Sequence, residues 1–405
     1  MLTLDSIDFL GKRTFVRVDL NSPYDAKTGK IEKSPRLSAH CRTLKELASK
    51  NAKVVVLAHQ GRKGDADCIS LSQHAQMLSY ELKRKVRFVP DVCGAAAKDA
   101  ISSLGNGQIL LLDNVRLLDD EAKYKTIEEN ANSLLVRELS PLCDIFVLDA
   151  FSVSHRHQAS VVGFFSKPCV CGRVMQEELF ALSKLKDPQR PLAFLFGGAK
   201  PDDSLGILES WLSEGKVDFA LASGVLGELF VLAQGRELGK TTEYLQRTNA
   251  IAQLAHVREI YEKYKDKLLI PIDFAVDENG KRKELSVRLL PSPYPIQDIG
   301  KKTVSLYSKK LRMAKTILLN GPAGVYEREE FSYGTKKLLK AVEKASINGS
   351  FSLLGGGHTL SALSKFKIKK KKLGYVSLSG KALIEYLSGC ELPGVRLLQR
   401  EQPSP

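Results

Sequence analysis

The sequence predicts an α/β fold with two parallel sheets, each covered by helices on both faces. Three observations carry that expectation: short, nearly continuous apolar runs recur along the 405 residues, helical patterns separate them, and the series breaks once and begins again. Length agrees, because a chain this long exceeds what one hydrophobic core organises and suits two large domains.

The first series of strands runs Thr14 to Leu20, Lys53 to His59, Val86 to Pro90, Gln108 to Asp113 and Ile145 to Ala150. Helical patterns lie between them, for example His40 to Ser49 and Ser72 to Lys83. Continuous rather than alternating apolar runs are the mark of strands buried on both faces. An amphipathic segment, Gly172 to Leu185, follows, with Val174, Met175, Leu179, Leu182 and Leu185 in helical register, and the boundary between the two series falls there. The second series runs Leu192 to Phe196, Phe219 to Ala222, Leu268 to Phe274, Thr316 to Leu319, Phe351 to Leu354 and Tyr375 to Leu378.

Ligands of open parallel sheets bind at the carboxyl ends of the strands. In the first half those ends are rich in cations: Arg17, Asp19 and Asn21 at the first, His59 and Arg62 at the second, Arg116 after the fourth, His155, Arg156 and His157 after the fifth, with Arg36 in the loop SPRLSAH (34 to 40). Arginine's planar fork suits phosphate and carboxylate, so the expected ligand is small and multiply anionic.

The second half carries glycine turns. In PLAFLFGGAKPDDSLGIL (191 to 208) an apolar run ends in Gly197, Gly198, Ala199 and Lys200 before a helical pattern opens. Glycines admit close approach of backbone amides to an anion, the helix start adds positive partial charge, and the lysine adds a mobile ammonium. SLLGGGHTLSAL (352 to 363) and VSLSGKALIEYL (376 to 387) repeat the arrangement, and Asn320 with a Gly-Pro turn ends another strand, followed by Glu327. A polyphosphate fits best. Standard nucleotide motifs are missing: GRELGKT (235 to 241) is one residue short of the Walker A spacing, and no G-x-G-x-x-G follows a strand.

Composition narrows the classes further. With 43% apolar and 26% charged residues the chain is neither disordered nor collagen-like. Seven scattered cysteines fit reduced thiols in a cytoplasmic protein rather than a disulfide framework, and the H-x-H and C-x-C spacings of His155, His157, Cys169 and Cys171 lie outside the usual zinc patterns. No signal sequence or membrane span is expected. A net charge of +15 and the lysines of KFKIKKKKLGY (365 to 375) raise nucleic acid as a partner, but no nucleic-acid module accompanies them, and no nucleic acid is expected.

These residues resemble the phosphoglycerate kinase family, in the family's order and along nearly the whole chain. RVDLNSP (17 to 23), SPRLSAH (34 to 40), HQGRKG (59 to 64), LLLDNVR (110 to 116), DAFSVSHR (149 to 156), GGAKPDDS (197 to 204), NGPAGVYE (320 to 327) and GGGHT (355 to 359) carry the resemblance, and HQGR, GGAKPDDS and GGGHT are similar to the archaeal branch. The resemblance implies two Rossmann-like domains joined by a hinge: residues 1–165 with the tail from about 386 to 405 for 3-phosphoglycerate, 166–185 as the connecting helix and hinge, and 186–385 for the nucleotide. Asp19, Asn21, Arg36, His59, Arg62, Arg116 and Arg156 would hold 3-phosphoglycerate or 1,3-bisphosphoglycerate. Gly197, Gly198, Lys200, Asn320, Glu327, Gly355, Gly356, Gly357, His358 and Thr359 would hold ATP or ADP, with Mg2+ carried by the nucleotide and no separate protein metal site. Arg36 and Lys200 would be catalytic. The implied setting is glycolysis and gluconeogenesis; the chain is expected in the cytoplasm, away from membranes and, from its basic surface, as a monomer rather than an oligomer.

Departures from the family pattern leave an alternative open. Ser204 stands where many members have a second lysine, His358 where many have aspartate, and SLSGKA (377 to 382) where the family usually reads STGGGA. If Ser379 and Lys381 stood where the chain needs positive φ or close backbone approach to phosphate, side chains there would cost about 1–2 kcal/mol each. A catalytically impaired binding or scaffold protein is therefore the second expectation, and Lys381 supplying an ammonium where amides usually serve is its counterpart.

Overall fold

The computed structural model describes residues 1–401, which form two compact units: Met1–Phe180 together with the segment from Glu391, and Ala181–Cys390. In the first unit seven strands make one parallel sheet, in the order Leu2–Thr3, Cys169–Cys171, Ile145–Leu148, Arg13–Arg17, Lys53–Leu57, Ile109–Leu111 and Val86–Phe88. The run KVVVL shows why: Val54, Val55, Val56 and Leu57 are all fully buried, two faces at once, and β-branched side chains suit that setting.

Each strand of this sheet is shorter than its apolar run. Arg13–Arg17 ends three residues before the expected Leu20, because after Val18 donates to the Leu57 carbonyl the next amide, Asp19, donates instead to His40 Nε2 at 3.1 Å. The helix expected from His40 begins earlier, at Pro35, and runs to Ser49. Ser34 accepts from the Arg36 amide at 3.2 Å and Pro35 occupies the first turn. Two short strands, Leu2–Thr3 and Cys169–Cys171, were not expected, and the second lies in the segment 166–185, followed by the helix Arg173–Ser183. The helix Pro393–Gln399 packs Val395, Leu397 and Leu398 into the first unit, and Gly394 donates to the Ser154 carbonyl at 2.9 Å.

The second unit holds six parallel strands in the order Leu268–Leu269, Phe219–Ala222, Leu192–Phe196, Thr316–Asn320, Phe351–Gly355 and Tyr375–Val376. One expectation fails here. Leu268 to Phe274 is not a single strand: Leu268–Leu269 pairs in the parallel sheet, the chain breaks at Pro271, and Asp273–Glu278 pairs antiparallel with Lys281–Ser286 and Ile296–Ile299 in a separate three-stranded sheet. Proline lacks the amide a central strand would donate.

In both units the central strand marks the point where chain connections reverse direction. Arg13–Arg17 leads to one side of its sheet and Ile145–Leu148 joins on the other; Leu192–Phe196 and Thr316–Asn320 repeat that relation. Crevices at such points are where open sheets receive ligands.

Candidate functional site

In the first unit the predicted residues gather at and beyond the carboxyl ends of four adjacent strands, Ile145–Leu148, Arg13–Arg17, Lys53–Leu57 and Ile109–Leu111, with Arg36 in the first turn of the helix Pro35–Ser49. Arg17 is fully buried and donates to Ser160 Oγ at 2.8 Å and to the Val18 carbonyl, with Nη2 3.2 Å from His59 Nδ1. Asp19 accepts from the Asn21 amide at 3.0 Å and from Ser152 Oγ at 2.5 Å, and pairs with Arg36 at 3.2 Å. Asn21 Oδ1 accepts from the Gly61 amide at 2.9 Å, and Arg116 donates to the Gly61 carbonyl, so one loop is braced from two sides. Arg156 donates to His155 Nε2 at 3.1 Å, while Arg62 stands exposed.

The electrostatics of this cluster are lopsided. Burial, then the nearby Arg156 and Arg17, push Arg116 down to about 10. His59 is held well below its ordinary value by burial and by Arg17 and Arg116, so its ring is neutral at pH 7. Burial opposes ionisation of Asp19, but surrounding donors including Arg36 and Ser152 outweigh it and keep the carboxyl well below the usual range. The carboxyls acting on Arg17 and Arg116 are Asp19 and Glu121. Glu121 accepts from Ser160 Oγ at 2.6 Å and from its amide at 3.0 Å, yet burial pushes it up to about 7. Guanidinium groups this crowded, with this little counter-charge, are suited to receive an anion.

In the second unit the turns after Leu192–Phe196 and Thr316–Asn320 touch through backbone. Gly197 donates to the Asn320 carbonyl at 2.9 Å and Gly198 to the Pro322 carbonyl at 2.7 Å; Gly321 lies between them at φ +86°. Asn320 is buried and donates to Ser204 Oγ at 3.0 Å, so the serine in place of a second lysine braces the turn instead. Thr359 Oγ1 accepts from the Gly321 amide at 3.0 Å, tying the turn to the helix Gly357–Lys365. Gly355 ends its strand, and Gly356 at φ +90° precedes that helix.

Beside these turns lies a cavity of about 580 Å³, within the usual range for a small-molecule pocket. Gly198, Glu327 and His358 line it, with His358 Nδ1 3.6 Å from Glu327 Oε1. Gly197, Asn320, Gly355, Gly356, Gly357, Thr359 and the exposed Lys200 do not. Its apolar wall includes Pro322 and Val325 of the NGPAGVYE stretch, together with Gly224, Val225, Phe274 and Ile296, which were not singled out as site residues in the sequence. Asp203, at the start of the helix Asp202–Ser213, is raised by burial against the opposing pull of Lys200, and Lys381 also acts on it, so both ammonium groups lie near that helix start.

The strain expected in SLSGKA is not there. No residue of 377–382 has positive φ, Ser379 donates its amide to Ser377 Oγ at 3.0 Å, and Lys381 opens the helix Lys381–Leu387, paired with Glu385 at 3.3 Å. Among the described residues no group of three or more His, Cys, Asp or Glu could hold a metal ion, and no helix is long and apolar enough to cross a membrane.

Fold and site define a class: a doubly wound, two-unit α/β protein with a cationic anion site on one unit and a glycine-edged cavity of nucleotide size on the other. A family model described as phosphoglycerate kinase matches residues 4–390. Phosphoglycerate kinase of Methanothermus fervidus is 41% identical over 400 residues, covering 98% of this chain and 96% of that protein. That of Methanococcus maripaludis is 42% identical over 409 residues, covering 98% of each. The crystal structure of phosphoglycerate kinase from Pyrococcus horikoshii OT3 superposes with a TM-score of 0.90 at 37% identity, and the structure of phosphoglycerate kinase from Coxiella burnetii with 0.83 at 33%, each over 98% of both chains. The chain belongs to the phosphoglycerate kinase family.

Proposed function

We propose that this chain catalyses reversible phosphoryl transfer between 1,3-bisphosphoglycerate with ADP and 3-phosphoglycerate with ATP, as a cytoplasmic, monomeric enzyme of glycolysis and gluconeogenesis. The observation that carries the reading is the excess of buried guanidinium charge at the strand ends of the first unit, which fits a small, multiply anionic substrate. In this reading Asp19, Asn21, Arg36, His59, Arg62, Arg116 and Arg156 hold the phosphoglycerate. Gly197, Gly198, Lys200, Asn320, Glu327 and the turn from Gly355 to Thr359 hold the nucleotide, which brings its own Mg2+ as part of the substrate. The domains of the reading are 1–165 with the tail, and 186–385, with the segment between as the hinge whose closure brings the ligands in line.

No protein nucleophile is required. In the direction that consumes ATP, a carboxylate oxygen of 3-phosphoglycerate attacks the γ-phosphorus, a new O–P bond forms, and the bond from that phosphorus to the β,γ-bridging oxygen breaks, leaving ADP. Positioning and charge stabilisation carry such a transfer. Arg36 and Lys200 are assigned to the oxygens of the moving group, and exclusion of water protects the acyl phosphate. The backbone of 377–382 has no positive φ for Ser379 or Lys381 to strain, which supports the catalytic reading over the impaired one.

The test is formation of acyl phosphate from 3-phosphoglycerate and Mg-ATP by the full chain, beside Arg36→Ala and Lys200→Ala. Turnover on the order of 10 per second or more, lost in both variants, is expected. Undetectable turnover with both ligands bound would refute the catalytic assignment and restore the binding-protein reading.

A further inference from the structure

We propose that Glu228 reads the nucleotide base, its carboxyl hydrogen-bonding the edge of a purine seated in the cavity of the second unit. The proposal rests on the nucleotide reading above and adds to it the residue that meets the base.

Glu228 lies in the helix Gly224–Ala233, lines the cavity, and is only 7% exposed; its Oε2 is buried with no hydrogen-bond partner. Other buried polar side chains of the same wall are taken. Thr241 Oγ1 accepts from the Ile296 amide at 2.8 Å, and Asp298 accepts from the Ile299 and Gly334 amides and from Arg282. A carboxyl without a partner in an apolar setting is costly, and buried polar groups of native proteins are satisfied by protein, water or ligand. Val225, Phe274, Ile296, Pro322 and Val325 give the surrounding wall the apolar character that a flat aromatic ring requires.

The chemistry of the carboxyl fits that ring. Lys240, Glu243, Tyr244, Arg247, Glu327 and His358 also line the cavity, yet burial alone accounts for the shift of Glu228, up to about 8, so the group is neutral at pH 7. A neutral carboxyl offers one O–H donor beside one carbonyl acceptor. Adenine presents the complement, a ring nitrogen that accepts next to an amino group that donates. Guanine presents the same pair with the two roles exchanged, which a carboxyl meets by carrying its proton on the other oxygen.

The test measures ADP binding to the full chain by calorimetry, with Mg2+ present, and displacement of ADP by tripolyphosphate, which has the charge but no base. Glu228→Leu is expected to weaken ADP about tenfold while leaving the affinity for tripolyphosphate unchanged. Glu228→Gln, whose amide keeps a donor beside an acceptor, is expected to bind ADP within about threefold of the parent. Unchanged ADP binding in Glu228→Leu would overturn the proposal, as would equal losses in both variants, or a parallel loss of tripolyphosphate that marks a general disturbance of the helix. Failure of the parent chain to bind ADP is a different result, and removes the nucleotide reading itself together with the proposal.

Discussion

Replacing Gly321 by alanine tests whether the two turns of the second unit are held by backbone contact that only glycine permits. Gly321 sits at φ +86°, where an L side chain costs about 1–2 kcal/mol. Its Cβ would stand 2.6 Å from the Gly197 carbonyl carbon and 3.0 Å from the Gly198 amide nitrogen, both backbone atoms. Ordinary carbon contacts lie near 3.5 Å, so the turns must part by about 1 Å. They are joined by the bonds from Gly197 to Asn320 and from Gly198 to Pro322, and losing one adds about 1–3 kcal/mol. The total, about 2–5 kcal/mol, corresponds to a fall in Tm on the order of 5–15 °C for a unit of this size. Trp211, the sole tryptophan, is buried within the second unit and donates to the Leu387 carbonyl at 2.7 Å, so its fluorescence follows that unit's melting. Gly206→Ala is the comparison: exposed, inside the helix Asp202–Ser213, with its new Cβ 3.4 Å from Ser388 Oγ, it gains about 1 kcal/mol of helix propensity and melts slightly higher. A Gly321→Ala protein melting within about 2 °C of the parent would refute the reasoning.

The first unit yields a pH prediction. Glu121 is lifted by burial from its ordinary 4.5 to about 7, so the folded state holds its proton more tightly than the unfolded one. The stability it contributes is full below about 4.5 and is lost as pH rises through about 7, a change on the order of 3 kcal/mol. Glu121→Gln abolishes that change, so urea unfolding followed by circular dichroism at pH 5 and pH 8 is expected to show the variant gaining on the parent at the higher pH; an equal difference at both would refute the assignment. For the loop 377–382, Ser379→Gly with Lys381→Gly is expected to leave turnover within about twofold, since the backbone there has no positive φ for glycine to relieve. A sharp rise in kcat would show that the side chains do impair the transfer.

The sequence was most legible where one signal acted alone. Leu192–Phe196 matches its expected bounds because a run of apolar residues is closed by Pro191 and Gly197. Strand ends were misjudged where side chains replaced the sheet's own partners, as His40 does at Asp19. The antiparallel sheet went unread although Asn279 and Gly280, at φ +55° and +85°, form a hairpin turn of the strongest kind; the flanking residues, Asp277 to Glu284, are mostly charged and hide the alternation. Among site residues, arginines at strand ends were visible because type and position agree. Glu121 and Glu228 were not, since a glutamate in a loop or a helical pattern reads as solvent-facing until the fold buries it.

The short helix Pro393–Gln399 belongs with residues translated hundreds of codons earlier. Ribosomes make all of Ala181–Cys390 before that helix emerges, so the unit begun first is the unit finished last. Nascent domains usually fold in order from the N-terminus. Here the Ser154 carbonyl, one residue before His155, gains its Gly394 partner only after the second unit has been made, so the first unit takes its last backbone bond to that loop at the end of synthesis.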